Sequence, residues 1–208
     1  MISRRNLSLA LSAALLASSG AIAQATGPVI GQPAPNFSAV DADGRTRSLS
    51  QFRGKTVVLE WTNHECPYVK KHYGSGSMQA LQRDATRDGV VWLSIVSSAS
   101  GQQGYVTGAQ ARQLTVSRNA APTAVLLDPG GQVGRLYGAK TTPHMFVINP
   151  QGRLVYAGGI DDVPTAKVED LQRARPLVRL ALADVKAGRN VAVPASRPYG
   201  CSVKYGPA

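Results

Sequence analysis

The chain has 208 residues, of which 43% are hydrophobic, 6% aromatic and 17% charged, a balance that suits one soluble domain with a packed core and excludes a disordered tail or a membrane bundle. With 23 Lys and Arg against 12 Asp and Glu the formal net charge is +11. Beyond residue 25 the basic residues are scattered, Lys70-Lys71 being their only adjacent pair, so nothing tracks a phosphate backbone and nucleic acid is excluded as a partner.

Residues 1–25 have the pattern of an export signal. Arg4 and Arg5 form a positive start, Leu9 to Ala17 an apolar stretch, and Ala21-Ile22-Ala23 or Ala23-Gln24-Ala25 offers small residues for cleavage. The apolar stretch is too short and too interrupted by serine to span a bilayer, so stable membrane insertion is not expected. Ser3-Arg4-Arg5-Asn6-Leu7 is similar to a twin-arginine signal. The expected location is periplasmic or secreted, where disulfides form and persist. The expected division is an export signal over 1–25, one domain over 26–190, and a C-terminal tail over 191–208 that carries Cys201.

The turn Asp41-Ala42-Asp43-Gly44 within residues 28–54 predicts an N-terminal hairpin laid over the core. Thr56 to Thr62 is β-branched and mostly apolar, a buried central strand. A loop at His64-Glu65-Cys66 follows, then a helix on which Val69, Tyr73, Met78 and Leu81 recur. Val90–Val96 and Thr123–Asp128 predict two more strands, with a short helix inside 100–121 and one or two helical turns over Gln132–Tyr137. Met145–Ile148 and Leu154–Tyr156 flank Asn149-Pro150-Gln151-Gly152 as a hairpin. Val168, Leu171, Val178, Leu182 and Val185 line a final helical region, which Pro176 kinks or restarts. The order β-α-β-α-β-α-β-β-α predicts an α/β fold: a central mixed sheet with helices on both faces and an N-terminal hairpin extension.

Over about residues 28–161 the chain resembles the thioredoxin-fold redoxins, in the peroxiredoxin-like branch related to alkyl hydroperoxide reductase and thiol-specific antioxidant proteins. The resemblance rests on Gly31-Gln32-Pro33-Ala34-Pro35-Asn36-Phe37, Gly54-Lys55-Thr56-Val57-Val58-Leu59, Cys66-Pro67-Tyr68-Val69, Tyr137-Gly138-Ala139 and Thr142-Pro143. It implies a thioredoxin-like fold, with a cis proline at Pro143 opposite the reactive Cys66 and a Thr142 whose backbone pairs with bound substrate.

The residues themselves support a reactive Cys66. It sits where a strand hands over to a helix, with Pro67 suited to the first helical position, so helix N–H groups and the dipole favour a thiolate, to which Lys70 and Lys71 are expected to add. Val69 stands where a Cys-x-x-Cys motif has its second cysteine, so a local dithiol cycle is impossible. Peroxiredoxins place Thr three residues before the reactive cysteine and Pro seven before; this chain has Asn63 and Leu59, and Asn63 is expected to donate a hydrogen bond in the threonine's place.

Cys201 is the candidate resolving cysteine, brought to Cys66 by a mobile tail, within one chain or across a dimer. The alternatives are a static staple or a free thiol. The expected function is a thiol-dependent oxidoreductase acting on a peroxide or a disulfide-bearing protein, recycled by an external thiol reductant. His64 and His144 either adjust Cys66 or, as an alternative function, join it in binding copper or zinc. No flavin, nicotinamide or haem cofactor is expected: no glycine fingerprint follows a strand and no Cys-x-x-Cys-His is present.

Overall fold

The computed structural model describes residues 27–207; the export signal expected over 1–25 lies outside them. The elements in chain order are β1 (Ser38–Asp41), β2 (Thr46–Ser48), β3 (Val57–Trp61), α1 (Pro67–Gly74), α2 (Ser77–Arg87), β4 (Val91–Val96), α3 (Gly108–Ser117), β5 (Ala124–Leu127), α4 (Gln132–Leu136), β6 (Thr141–Thr142), β7 (His144–Ile148), β8 (Leu154–Gly158), α5 (Leu177–Lys186) and β9 (Cys201–Ser202). The main sheet has seven strands in the order β2-β1-β5-β4-β3-β7-β8. Strands β3, β4 and β5 are parallel, while β7, β8, β1 and β2 join antiparallel, so the sheet is mixed as expected.

β3 forms where the sequence is most β-branched, and all five of its residues are buried between two apolar layers. On one face Val57, Leu59 and Trp61 pack with Leu93, Ile95, Phe146 and with Val133 and Tyr137 at α4. On the other, Val58 packs with Trp92, Met145 and Val147 beneath Met78 and Leu81 of α2 and Val178 and Ala181 of α5.

Two expectations change, and one open alternative is decided. The N-terminal hairpin does not lie over the core: β1 pairs with β5 and lengthens the sheet at its edge. The helix after Cys66 breaks into α1 and α2, because Gly76 takes φ +80°, a left-handed value that ends the first helix. Pro176 restarts rather than kinks the last helix, capping α5 after a 3₁₀ turn at Glu169–Gln172. Among the described residues no helix is long and apolar enough to cross a membrane.

Glu60, on the central strand, is fully buried. Its carboxylate accepts from Tyr73 Oη (2.9 Å), Gln82 Nε2 (3.1 Å), Trp92 Nε1 (2.7 Å) and Ser94 Oγ (2.8 Å), so β3, β4, α1 and α2 converge on one acceptor. Glu60→Ala orphans these donors in the core, and a loss of about 3–5 kcal/mol in unfolding free energy is expected by urea titration. Glu60→Gln, which keeps one acceptor oxygen, should fall between the two. A loss below about 1 kcal/mol in Glu60→Ala would show that the donors find other partners.

Candidate active site

Cys66 is the N-cap of α1, with Pro67 at the first helical position where its missing N–H costs nothing. The strand-to-helix handover therefore places the sulfur as the sequence suggested, and it is completely buried. The Cys66 thiol donates to the Thr142 carbonyl at 3.1 Å. The Thr142–Pro143 bond is cis, and Pro143 leads directly into β7, whose His144 lies opposite Trp61 at the end of β3.

Cys201 completes the group. β9 pairs antiparallel with β6, in the register Thr142↔Cys201 and Thr141↔Ser202. Thus Cys66, Thr142, Pro143 and Cys201, separated by up to 135 residues in the chain, stand together. Both cysteines are free thiols.

The two thiols ionise unequally. Burial pushes Cys66 up, but hydrogen bonds from the Cys201 thiol, from Thr142 and from the Val69 N–H outweigh it and hold Cys66 below the ordinary thiol range. Cys201 is pushed up to about 11, first by burial and then by its hydrogen bond to Cys66 and the charge there. Cys66 therefore gives up its proton before Cys201 does.

The lysines do not contribute. Lys70 is exposed, and the buried Lys71 ammonium donates to Asp161 Oδ2 (3.4 Å) and to the Val163 carbonyl (3.1 Å), away from the sulfur. Asn63 is also committed elsewhere: its Nδ2 donates to the Gln103 carbonyl (3.2 Å) and its Oδ1 accepts the Glu65 N–H (2.9 Å). The hydrogen bond expected of Asn63 at the thiol is not made, because the side chain closes the loop before α1.

The histidines separate. His144 accepts the Lys140 N–H on Nδ1 at 3.2 Å and lies on Phe146 at 4.4 Å between ring centres; burial, then Lys140, holds it down to about 4, so it is neutral. His72 points away from Cys66 to Tyr199 Oη at 3.3 Å, and burial, partly opposed by Asp161, brings it down to about 4. His64 is half-buried, and burial lowers its pKa. Among the described residues no three His, Cys, Asp or Glu side chains assemble in a way that holds a metal ion, so the copper or zinc alternative on Cys66, His64 and His144 finds no support.

Sequence reasoning overlooked the residues that seat the tail. The expectation of a mobile tail gives way to a strap, residues 194–206, anchored along its length. Ala157 N–H donates to the Pro194 carbonyl and Ser196 N–H to the Ala157 carbonyl, both at 3.1 Å. Tyr199 donates to Asp161, and its ring packs edge-on to Tyr68 at 5.9 Å. Past Cys201, Val203 N–H donates to the Lys140 carbonyl (3.0 Å), and Ala99 N–H to the Lys204 carbonyl (2.8 Å). Tyr205 Oη donates to the Ala139 carbonyl (2.8 Å), with Arg135 over its ring at 4.8 Å. Gly134 makes room for that ring, since a β-carbon there would stand 2.6 Å from Tyr205 Cε1.

Comparison with known proteins follows the same outline. Residues 30–157 match the model of the AhpC/TSA family. The thiol-disulfide oxidoreductase ResA of Bacillus subtilis (strain 168) is 26% identical over 125 residues, 60% of this chain and 64% of that protein, so the match spans somewhat under two thirds of this curated relative. An uncharacterized conserved protein from Geobacillus kaustophilus superposes with a TM-score of 0.74 at 24% identity, covering 88% of this chain and 95% of that one. A hypothetical protein from Sinorhizobium meliloti 1021 gives 0.73 at 22% identity, covering 88% and 98%. At those identities the two structures establish the fold alone.

Proposed function

The chain belongs to the AhpC/TSA family, and from that premise we propose that it is an exported thiol-disulfide oxidoreductase in which Cys66 is the nucleophile and Cys201 resolves it. The observation that carries this reading is the pair of sulfurs beside Thr142: one thiol held low, its neighbour held high. The name borne by the ResA relative supports the same reaction class. Export is inferred from residues 1–25 alone.

The chemistry runs in two displacements. The Cys66 thiolate attacks one sulfur of a substrate disulfide; that S–S bond breaks, the departing sulfur leaves as a thiolate, and a mixed disulfide stands on Cys66. Cys66 is then uncharged, which removes the charge and the hydrogen bond that kept the proton on Cys201. Cys201 gives its proton to the departing thiolate and attacks the Cys66 sulfur. The second substrate thiolate is expelled, the substrate is reduced by two electrons, and the Cys66–Cys201 disulfide is reopened by an external thiol reductant. Thr142 and Pro143 position the attacked sulfur. A disulfide is favoured over a peroxide because Asn63, the side chain at the place of the peroxiredoxin threonine, turns its amide to the Gln103 carbonyl and the Glu65 N–H rather than to the Cys66 sulfur.

The test is mass spectrometry of the reduced protein after a slight excess of a peptide disulfide or of hydrogen peroxide, with free thiols alkylated. A linked Cys66–Cys201 peptide is expected, formed at least about tenfold faster with the disulfide. If both thiols remain alkylatable, or Cys66 stays modified while Cys201 is free, the assignment of these roles fails.

A further inference from the structure

We propose that the strap is a built-in competitor of the protein substrate: β9 sits on the edge of β6 beside Cys66, where an incoming polypeptide's backbone would pair with Thr142, and it must be displaced for that polypeptide to enter. This deepens the thiol-exchange reading and rests on it.

β6 is a two-residue strand that, among the described residues, pairs with β9 alone, so without the strap Thr141 and Thr142 become an unpaired edge next to the sulfur. Unpaired strand edges accept added strands through main-chain hydrogen bonds, which are indifferent to most of the incoming sequence. The strap shows what such a strand looks like when seated: a cysteine opposite Thr142, directly against the nucleophile.

Two further features mark the strap as a fitted ligand. Gly200 has φ +138°, and a β-carbon there would overlap the Thr142 carbonyl, so the residue before the presented cysteine must be glycine for this approach. Tyr199 and Tyr205 clamp the strand on either side of Cys201, on Asp161 and on Ala139 respectively. With the strap seated Cys66 is wholly buried, so no polypeptide disulfide reaches it. Between strap residues 196–200 and Tyr68, Thr141, Asp162 and Pro164 lies an open cleft of about 520 Å³. An incoming strand can settle there before it exchanges with β9.

The experiment uses the full chain carrying Cys201→Ser, so that only Cys66 reacts. Two probes are compared: 2-hydroxyethyl disulfide, and the peptide Pro-Tyr-Gly-Cys-Ser-Val-Lys-Tyr-Gly-Pro with its cysteine activated as a thiopyridyl disulfide. Adding Tyr205→Ala removes one hydrogen bond and one cation–π contact from the far clamp. It should raise the peptide rate about tenfold more than the small-disulfide rate. Gly200→Ala, which pushes the strand off Thr142 by another route, should act in the same direction. If both probes accelerate in equal proportion, or neither changes, the strap is a cover and not a competitor, and the proposal is overturned while the nucleophile stands. If Cys66 reacts with neither probe in any variant, the thiol-exchange reading falls and the proposal with it.

Discussion

Cys66→Ser is expected to abolish disulfide turnover, a loss of about a thousandfold or more, while leaving the protein folded. The hydroxyl replaces the thiol almost isosterically, and it can donate to the Thr142 carbonyl as the thiol does, so the buried hydrogen bond survives. What is lost is ionisation. Held down by Cys201, Thr142 and the Val69 N–H, the thiol gives up its proton more readily than an ordinary cysteine, whereas a serine hydroxyl with the same neighbours stays protonated. Steady-state reduction of a protein disulfide, with thermal unfolding as the control, checks both halves. Retention of more than about a tenth of the activity would mean that the nucleophile is another group.

The second large effect concerns Cys201→Ala, and it has two separable parts. Without a resolving thiol the mixed disulfide on Cys66 persists, so multiple turnover falls by about a hundredfold while the first displacement still occurs. The variant also loses a principal donor to the Cys66 sulfur, so the Cys66 pKa rises. The thiolate is the reactive form, its fraction below the pKa falls about tenfold for each pH unit, and a raised pKa therefore moves the rising limb of the rate profile to higher pH. The first-displacement rate at neutral pH should fall accordingly and recover in alkali. A profile unchanged in Cys201→Ala would mean that the helix end and Thr142 hold the thiolate without the second sulfur.

Most of the sheet was legible because its central strands are nearly continuous β-branched and apolar runs: Val57–Trp61, Val91–Val96 and Ala124–Leu127 could be little else. Cys66, Thr142 and Pro143 were legible for a different reason, the adjacency of a cysteine to a helix-starting proline and a resemblance that implied the cis bond. β6 and β9 were not, since two residues carry no periodicity and their partner lies some 60 positions away. The helix break at Gly74-Ser75-Gly76 was visible as residues but not as a left-handed turn.

The buried polar residues misled most. Lys71 reads as a cation available to Cys66 until Asp161 is seen beside it, and Gly200 and the Pro-containing tail read as flexible until Tyr199 and Tyr205 are seen fixed. In both cases the decisive partner comes from a distant segment, so local sequence could not supply it. Glu60 was hidden in the same way, as a carboxylate inside an apolar strand whose four donors come from three other elements.

The most direct measurement is the ultraviolet titration of thiolate near 240 nm in the wild-type chain, reduced and free of metal, compared with Cys66→Ser and Cys201→Ala. Two separate ionisations are expected in the wild type, the first below the ordinary thiol range and absent from Cys66→Ser, the second far above it near 11. A single transition in which both sulfurs ionise together at an ordinary thiol pKa would contradict the pairing of a thiolate nucleophile with a protonated resolving thiol.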